Sequence, residues 1–164
     1  MLPVANNHAF IDGPNLHKSL DRNGLRIDFV RFRTYLREKF GVSVACYFIG
    51  YVAGRESLYR ELESAGYEVV LRPTLALPDG RVKGNCDTEL VLRAATTVSD
   101  YEQAVLVTND GDFACLVEYV KARGQFRSLV ASSRTDCSRL LRVAAGNRVV
   151  YVDEARDKVG LKQK

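Results

Sequence analysis

The sequence predicts an α/β fold: a single domain built on a parallel sheet of five or six strands, with helices on both faces. Three observations predict it. Short β-branched or aromatic runs alternate with segments of helical periodicity along the chain, which is the rhythm of βαβ units. The run from Val42 to Val52 is apolar on both of its faces, as expected of a strand covered by helices on both sides. The runs end in turns rich in Asp, Asn and Gly, the chemistry that stops a strand and lets a helix begin.

Taken in order, Ala9-Phe10-Ile11 is the first strand, closed by Asp12-Gly13-Pro14-Asn15. Phe29, Phe32, Leu36 and Phe40 recur at helical spacing, with Asp28 as N-cap and Gly41 as the stop. Val42 to Val52 is the second strand, Leu58, Leu62 and Ala65 mark the next helix up to Gly66, and Glu68 to Leu71 is the third strand. From Arg72 to Asn85 the pattern breaks around Pro73, Pro78, Asp79-Gly80 and Gly84, giving a loop longer than the usual two to six residues of such units. Long loops of this kind often carry function. Leu90, Val91 and Ala94 resume helical spacing, followed by a strand at Ala104 to Val107 and a helix through Phe113, Leu116, Val117 and Val120, closed by Gly124. Strands at Ser128 to Val130 and Val149 to Val152 flank a short helix at Leu140 to Ala144. The domain is expected to span 1–155, with 156–164 as a basic, fraying tail.

Composition narrows the functional classes. A chain of 164 residues with 46% hydrophobic and 27% charged residues is that of a globular protein, long enough to bury a core. Its net charge of +4 permits a polyanionic partner without requiring one. The longest uncharged run, which takes in Val42 to Gly54, is shorter than the roughly 20 residues that span a membrane, so no membrane partner is expected. Cys46, Cys86, Cys115 and Cys137 form no C-x-x-C pair and the only histidines are His8 and His17, so zinc spacing is absent. No secretory signal pattern opens the sequence, and a cytoplasmic protein with reduced thiols is expected. A homo-oligomer is compatible with these features.

The carboxylates carry the chemistry. In an open α/β sheet the ligand crevice lies at the carboxyl ends of the strands, where the strand order reverses. Asp12 ends the first strand, while Asn109-Asp110-Gly111-Asp112 ends the fourth, which should lie beside it. Asp87 follows the long loop and opens the helix that leads into that fourth strand, bringing the expected set to four acids. Each like charge opposes ionisation of the next, and a cation resolves that cost. Oxygen-only donors select hard ions, so the expected cofactor is Mg²⁺ or Mn²⁺ held by Asp12, Asp87, Asp110 and Asp112. Such an ion would lower the pKa of an attacking water and neutralise charge on a phosphodiester. Capping and turn formation also favour aspartate, and explain any one of these residues about as well. They do not explain acids at all three loops that the fold gathers. A metal-independent ribonuclease would want histidines near the crevice; His8 lies at the wrong end of its strand, and His17 reads as a surface helix residue. Substrate contacts are expected from Asn15 and Asn109 in the crevice loops and from a rim of Arg81, Lys83 and Arg134, all on the strand-end face.

Three segments carry a resemblance to a known family: Ile11-Asp12-Gly13-Pro14-Asn15-Leu16, Lys83-Gly84-Asn85-Cys86-Asp87 and Thr108-Asn109-Asp110-Gly111-Asp112-Phe113. In this order the chain resembles the NYN domain family, PIN-like nucleases that include the LabA-like branch, from about Ala9 to Val152. Many members carry Lys-Gly-x-Asp in the second segment, whereas here two residues separate Gly84 from Asp87. The resemblance implies a PIN-like fold with a divalent-metal site at Asp12, Asp87, Asp110 and Asp112, supported by Asn15. The expected function is that of a divalent-metal-dependent endoribonuclease with RNA as its partner; the alternative is a catalytically quiet RNA-binding or regulatory module that keeps the fold. A Toprim-type reading wants Glu where Asp12 stands, and a phosphoacceptor receiver wants an acceptor Asp where the third strand runs into Leu71-Arg72-Pro73.

Overall fold

The computed structural model describes residues 4–162. Apolar alternation builds the first half of the fold: strand β1 (Asn7–Asp12), helices α1 (Gly13–Arg22) and α2 (Phe29–Phe40), strand β2 (Val42–Gly50), helix α3 (Glu56–Ser64) and strand β3 (Glu68–Arg72). Helix α2 has the ends that its sequence prescribes. Asp28 Oδ1 accepts from the Arg31 N–H at 3.0 Å, and Gly41 takes a left-handed φ of 67° that residues with a Cβ rarely adopt. The second half adds helix α4 (Asp87–Thr96), then strands β6 (Ala104–Val107), β7 (Phe126–Ala131) and β8 (Val149–Tyr151), alternating with helices α5 (Ala114–Ala122), α6 (Arg139–Ala145) and α7 (Arg156–Val159). Single 3₁₀ turns stand at Gly111–Phe113 and Val152–Ala155.

The main sheet has six strands in the order β3-β2-β1-β6-β7-β8, every neighbouring pair parallel. The chain builds outward from β1 in one direction, then crosses back and builds outward in the other, so the order reverses between β1 and β6. Strand alternation sorts side chains onto two faces. Ile11, Tyr47 and Val107 pack with Leu16, Phe32 and Leu36 on one side, and Phe10, Phe48 and Leu106 pack with Leu90, Leu116 and Leu141 on the other. Buried apolar residues on both faces hold the strand ends in fixed register, which is what a site assembled from several loops requires.

Two segments differ from the sequence expectation. The stretch 72–85, expected as loop, contains a small antiparallel hairpin of β4 (Leu75–Ala76) and β5 (Val82–Lys83). Two-residue exposed strands are too short to leave a period in the sequence. The expected fraying tail does not begin at residue 156. Val159 is fully buried, Ile27 and Gly160 form an antiparallel bridge, the Leu161 N–H donates to the Arg26 carbonyl at 2.8 Å, and the Arg31 guanidinium reaches the carbonyls of Asp157 and Gly160. Val159 and Leu161 alone among charged residues give little periodic signal, yet Val159 fills a gap beside α2. Residues 163–164 of the expected tail lie outside the described residues.

Candidate metal centre

Parity along β1 and β6 sets up the site. Asp12 follows Ile11 and shares the side of Phe10, while Thr108 follows Val107 and shares the side of Leu106; Ile11 pairs with Val107 in register. The next residues of both strands therefore meet on the face that carries α4. Asp12 is 5% exposed, and its Oδ2 accepts from the Thr108 hydroxyl at 3.1 Å. Its Oδ1 accepts from the Asn15 N–H at 3.5 Å, capping α1. Gly13 is required immediately after it, because a Cβ there would fall 2.5 Å from Cε1 of Tyr47 and 2.7 Å from the Phe48 carbonyl oxygen. Only a bare backbone lets α1 start this close to β2.

Thr108 also ties Asp12 to the second acidic loop. Its hydroxyl oxygen accepts from the Asp110 N–H at 3.1 Å, and Asp110 Oδ1 in turn accepts from the Asp112 N–H at 2.9 Å, capping the 3₁₀ turn. The Asn15 side-chain oxygen takes the Asn109 N–H at 2.9 Å, a further bridge from α1 to the loop after β6. Asp87 is the first residue of α4, and its N–H donates to Asn85 Oδ1 at 2.8 Å. The same approach is braced by Arg72, which pairs with Glu89 at 2.8 Å and bonds the Asn85 carbonyl.

These braces bring Asp87, Asp110 and Asp112 together, each offering a carboxylate oxygen within 4.8 Å of the others. Asp12 is not a member of that cluster, in contrast to the four-acid convergence expected from sequence. Its oxygens are engaged by Thr108 and Asn15, but the Asp12 charge is still coupled to the cluster. Burial pushes its carboxyl up to about 6, and Asp87 and Asp110 add to the rise against the opposing bonds from Thr108 and Asn15. Burial also raises Asp87, with Asp110 and Asp112 contributing. Three carboxylates at this spacing, backed by a fourth that resists ionisation, fit the donor set of a hard divalent cation with oxygen ligands and retained waters.

The other expected contacts fall in different places. Asn109 is buried, and its side chain is used by Ser132: the Ser132 N–H donates to Oδ1 at 2.8 Å while Nδ2 donates to the serine hydroxyl. It clamps the ends of β6 and β7. Lys83 is exposed on β5, four positions before Asp87. Arg81 is exposed at the hairpin tip, paired with Asp79 at 2.6 Å, and Arg134 lies exposed after β7 with its guanidinium 5.0 Å from the centre of the Tyr151 ring. His17, expected on the surface, is partly buried: its Nε2 bonds the Tyr47 hydroxyl and burial lowers its pKa. Thr108 was within a recognised segment, but a threonine at the end of a strand reads as β-propensity, and only the register reveals its hydroxyl as the link between two acidic loops.

An acidic cluster at the switch point of a doubly wound parallel sheet defines the class: a Rossmann-like α/β protein with three converging carboxylates that could hold a divalent cation. The chain belongs to the NYN domain family, whose pattern matches residues 8–153, and so to the PIN-like nuclease superfamily. It is 28% identical over 154 residues to the low amplitude and bright protein LabA of Synechococcus elongatus, covering 88% of this chain and 81% of that one. Its fold is shared by the crystal structure of a protein of unknown function from Vibrio parahaemolyticus, with a TM-score of 0.79 at 22% identity, covering 97% of this chain and 99% of the other. Among the described residues no helix is long and apolar enough to cross a membrane.

Proposed function

We propose that the protein is a divalent-metal-dependent endoribonuclease. The observation that carries this reading is the convergence of Asp87, Asp110 and Asp112 within 4.8 Å at the β1–β6 switch point, with Asp12 buried behind them. Asp87, Asp110 and Asp112 would hold Mg²⁺ or Mn²⁺, and Asp12 would add its charge from the adjoining position. Bound there, such an ion supplies an activated water and charge neutralisation at a phosphodiester. The chain's own residues do the positioning. Thr108 and Asn15 fix the Asp12 carboxylate, the Asp110 cap fixes the turn that presents Asp112, and Asn85 with Arg72 fixes the start of α4. Exposed Lys83, Arg81 and Arg134, with the Asn15 side chain, would supply the contacts that favour a polyanion at the strand-end face. Family membership makes a nucleic acid the natural partner.

Incubation with a mixed RNA pool tests this reading. Cleavage is expected in Mn²⁺ or Mg²⁺ and should stop in chelator. RNA binding without cleavage under every condition would support the quiet binding module instead, and cleavage that persists in chelator would remove the metal from the chemistry.

A further inference from the structure

A groove of about 760 Å³ lies between α1, α2, α3 and the β4–β5 hairpin, a size typical of sites for small organic ligands. It joins the acidic cluster through shared segments. Pro14, two residues after Asp12, and Gly84, three before Asp87, both line it. None of the four acids lines the groove, and its Pro14 and Gly84 end is the part that adjoins them along the chain. The lining is unlike a phosphate channel. Phe29 and His17, whose rings meet edge to face with centroids 5.6 Å apart, supply aromatic surface. The carboxylates of Asp21, Asp28 and Glu61 outnumber the guanidiniums of Arg26 and Arg55. Asp28 is occupied as the cap of α2, whereas Asp21 and Glu61 are exposed. Aromatic rings and guanidinium planes stack on unpaired bases, and carboxylates accept from exocyclic amines, while a backbone phosphate would be repelled.

We propose that this groove receives the unpaired nucleobase next to the phosphodiester held at the acidic cluster, giving the protein a base preference at that position of single-stranded RNA. The inference rests on the ribonuclease reading, whose metal site it does not involve. Glu61→Trp fills the groove from an exposed position on α3, and Arg55→Ala removes a guanidinium from the loop before it; neither residue touches the acids. The measurement is the affinity of the full-length protein in chelator for fluorescent single-stranded hexanucleotides that differ at one base. The same variants are also mapped for cleavage positions in a random RNA pool with Mn²⁺, and melting curves confirm that both remain folded.

Loss of a stacked base is expected to weaken the preferred hexanucleotide about tenfold and to flatten the cleavage preference, while affinity for the least preferred one changes little. Wild-type affinity and preference in two folded variants would overturn the groove but leave the ribonuclease reading intact. A wild-type protein that binds no RNA would overturn both. Weakening that is equal for all hexanucleotides would also overturn the base-reading role, because it marks a general electrostatic contact.

Discussion

The Thr108 hydroxyl joins two strands and two acids: it donates to Oδ2 of Asp12 at 3.1 Å while its oxygen accepts from the Asp110 N–H at 3.1 Å. Replacing it with a side chain of the same shape isolates that link. Thr108→Val leaves a buried carboxylate with one donor fewer and an N–H without its acceptor, a loss of roughly 1–3 kcal/mol. The melting temperature in chelator should fall, as should apparent affinity for Mn²⁺. An unchanged melting curve would mean that the hydroxyl is dispensable.

Asp12 gives the apoprotein a defined pH dependence. Its folded pKa of about 6 lies above the ordinary value of 3.8, so ionisation is harder in the folded state. Its contribution to stability is fully present below about pH 4 and is lost as the pH rises through about 6, a difference of roughly 3 kcal/mol. Compared with Asp12→Asn, which cannot ionise, the wild type in chelator should lose melting temperature steadily between pH 4 and pH 7. Parallel pH profiles for the two proteins would contradict the buried charge.

The same Asp12→Asn substitution separates chemistry from binding. Removing a charge behind the metal ligands should lower cleavage in Mn²⁺ by about 10- to 100-fold. RNA affinity in chelator should hold or tighten, since one buried negative charge beside the cluster is gone. A folded variant that cuts at the wild-type rate would rule out the assigned centre.

The basic rim is testable by salt. Lys83→Ala and Arg134→Ala should each weaken RNA binding and reduce the slope of log affinity against log salt by about 0.7, the value for one phosphate contact on a single strand. Affinity and slope both at wild-type values would place the RNA elsewhere.

Gly13→Ala tests how tightly α1 is set against the sheet. The added Cβ would lie 2.5 Å from the Tyr47 ring and 2.7 Å from the Phe48 carbonyl oxygen, and backbone oxygen cannot yield as a flexible side chain can. Overpacking of this kind costs about 1–3 kcal/mol, or roughly 2–4 °C of melting temperature per kcal/mol in a domain of this size. Thermal melts should show the loss directly.

Local chemistry was legible in the sequence because each signal is written within a few neighbouring residues. Apolar periods located the six main strands, Asp28 and Gly41 bounded α2, and the placement of β1 beside β6 followed from the βαβ rhythm. The aspartates stood out because they recur at the ends of the strands that such a sheet brings together. Register and packing decided the rest, since these depend on residues far apart in the chain. Only the pairing of Ile11 with Val107 brings Thr108 onto Asp12. Only the approach of α4 sets Asp87 with Asp110 and Asp112 while Asp12 stays behind them. Asn109 looked like a crevice residue, but the neighbouring end of β7 engages its amide through Ser132. Val159, one of two apolar residues in a charged segment, had no local period to announce it, and it is buried because the fold leaves a space that its side chain fills.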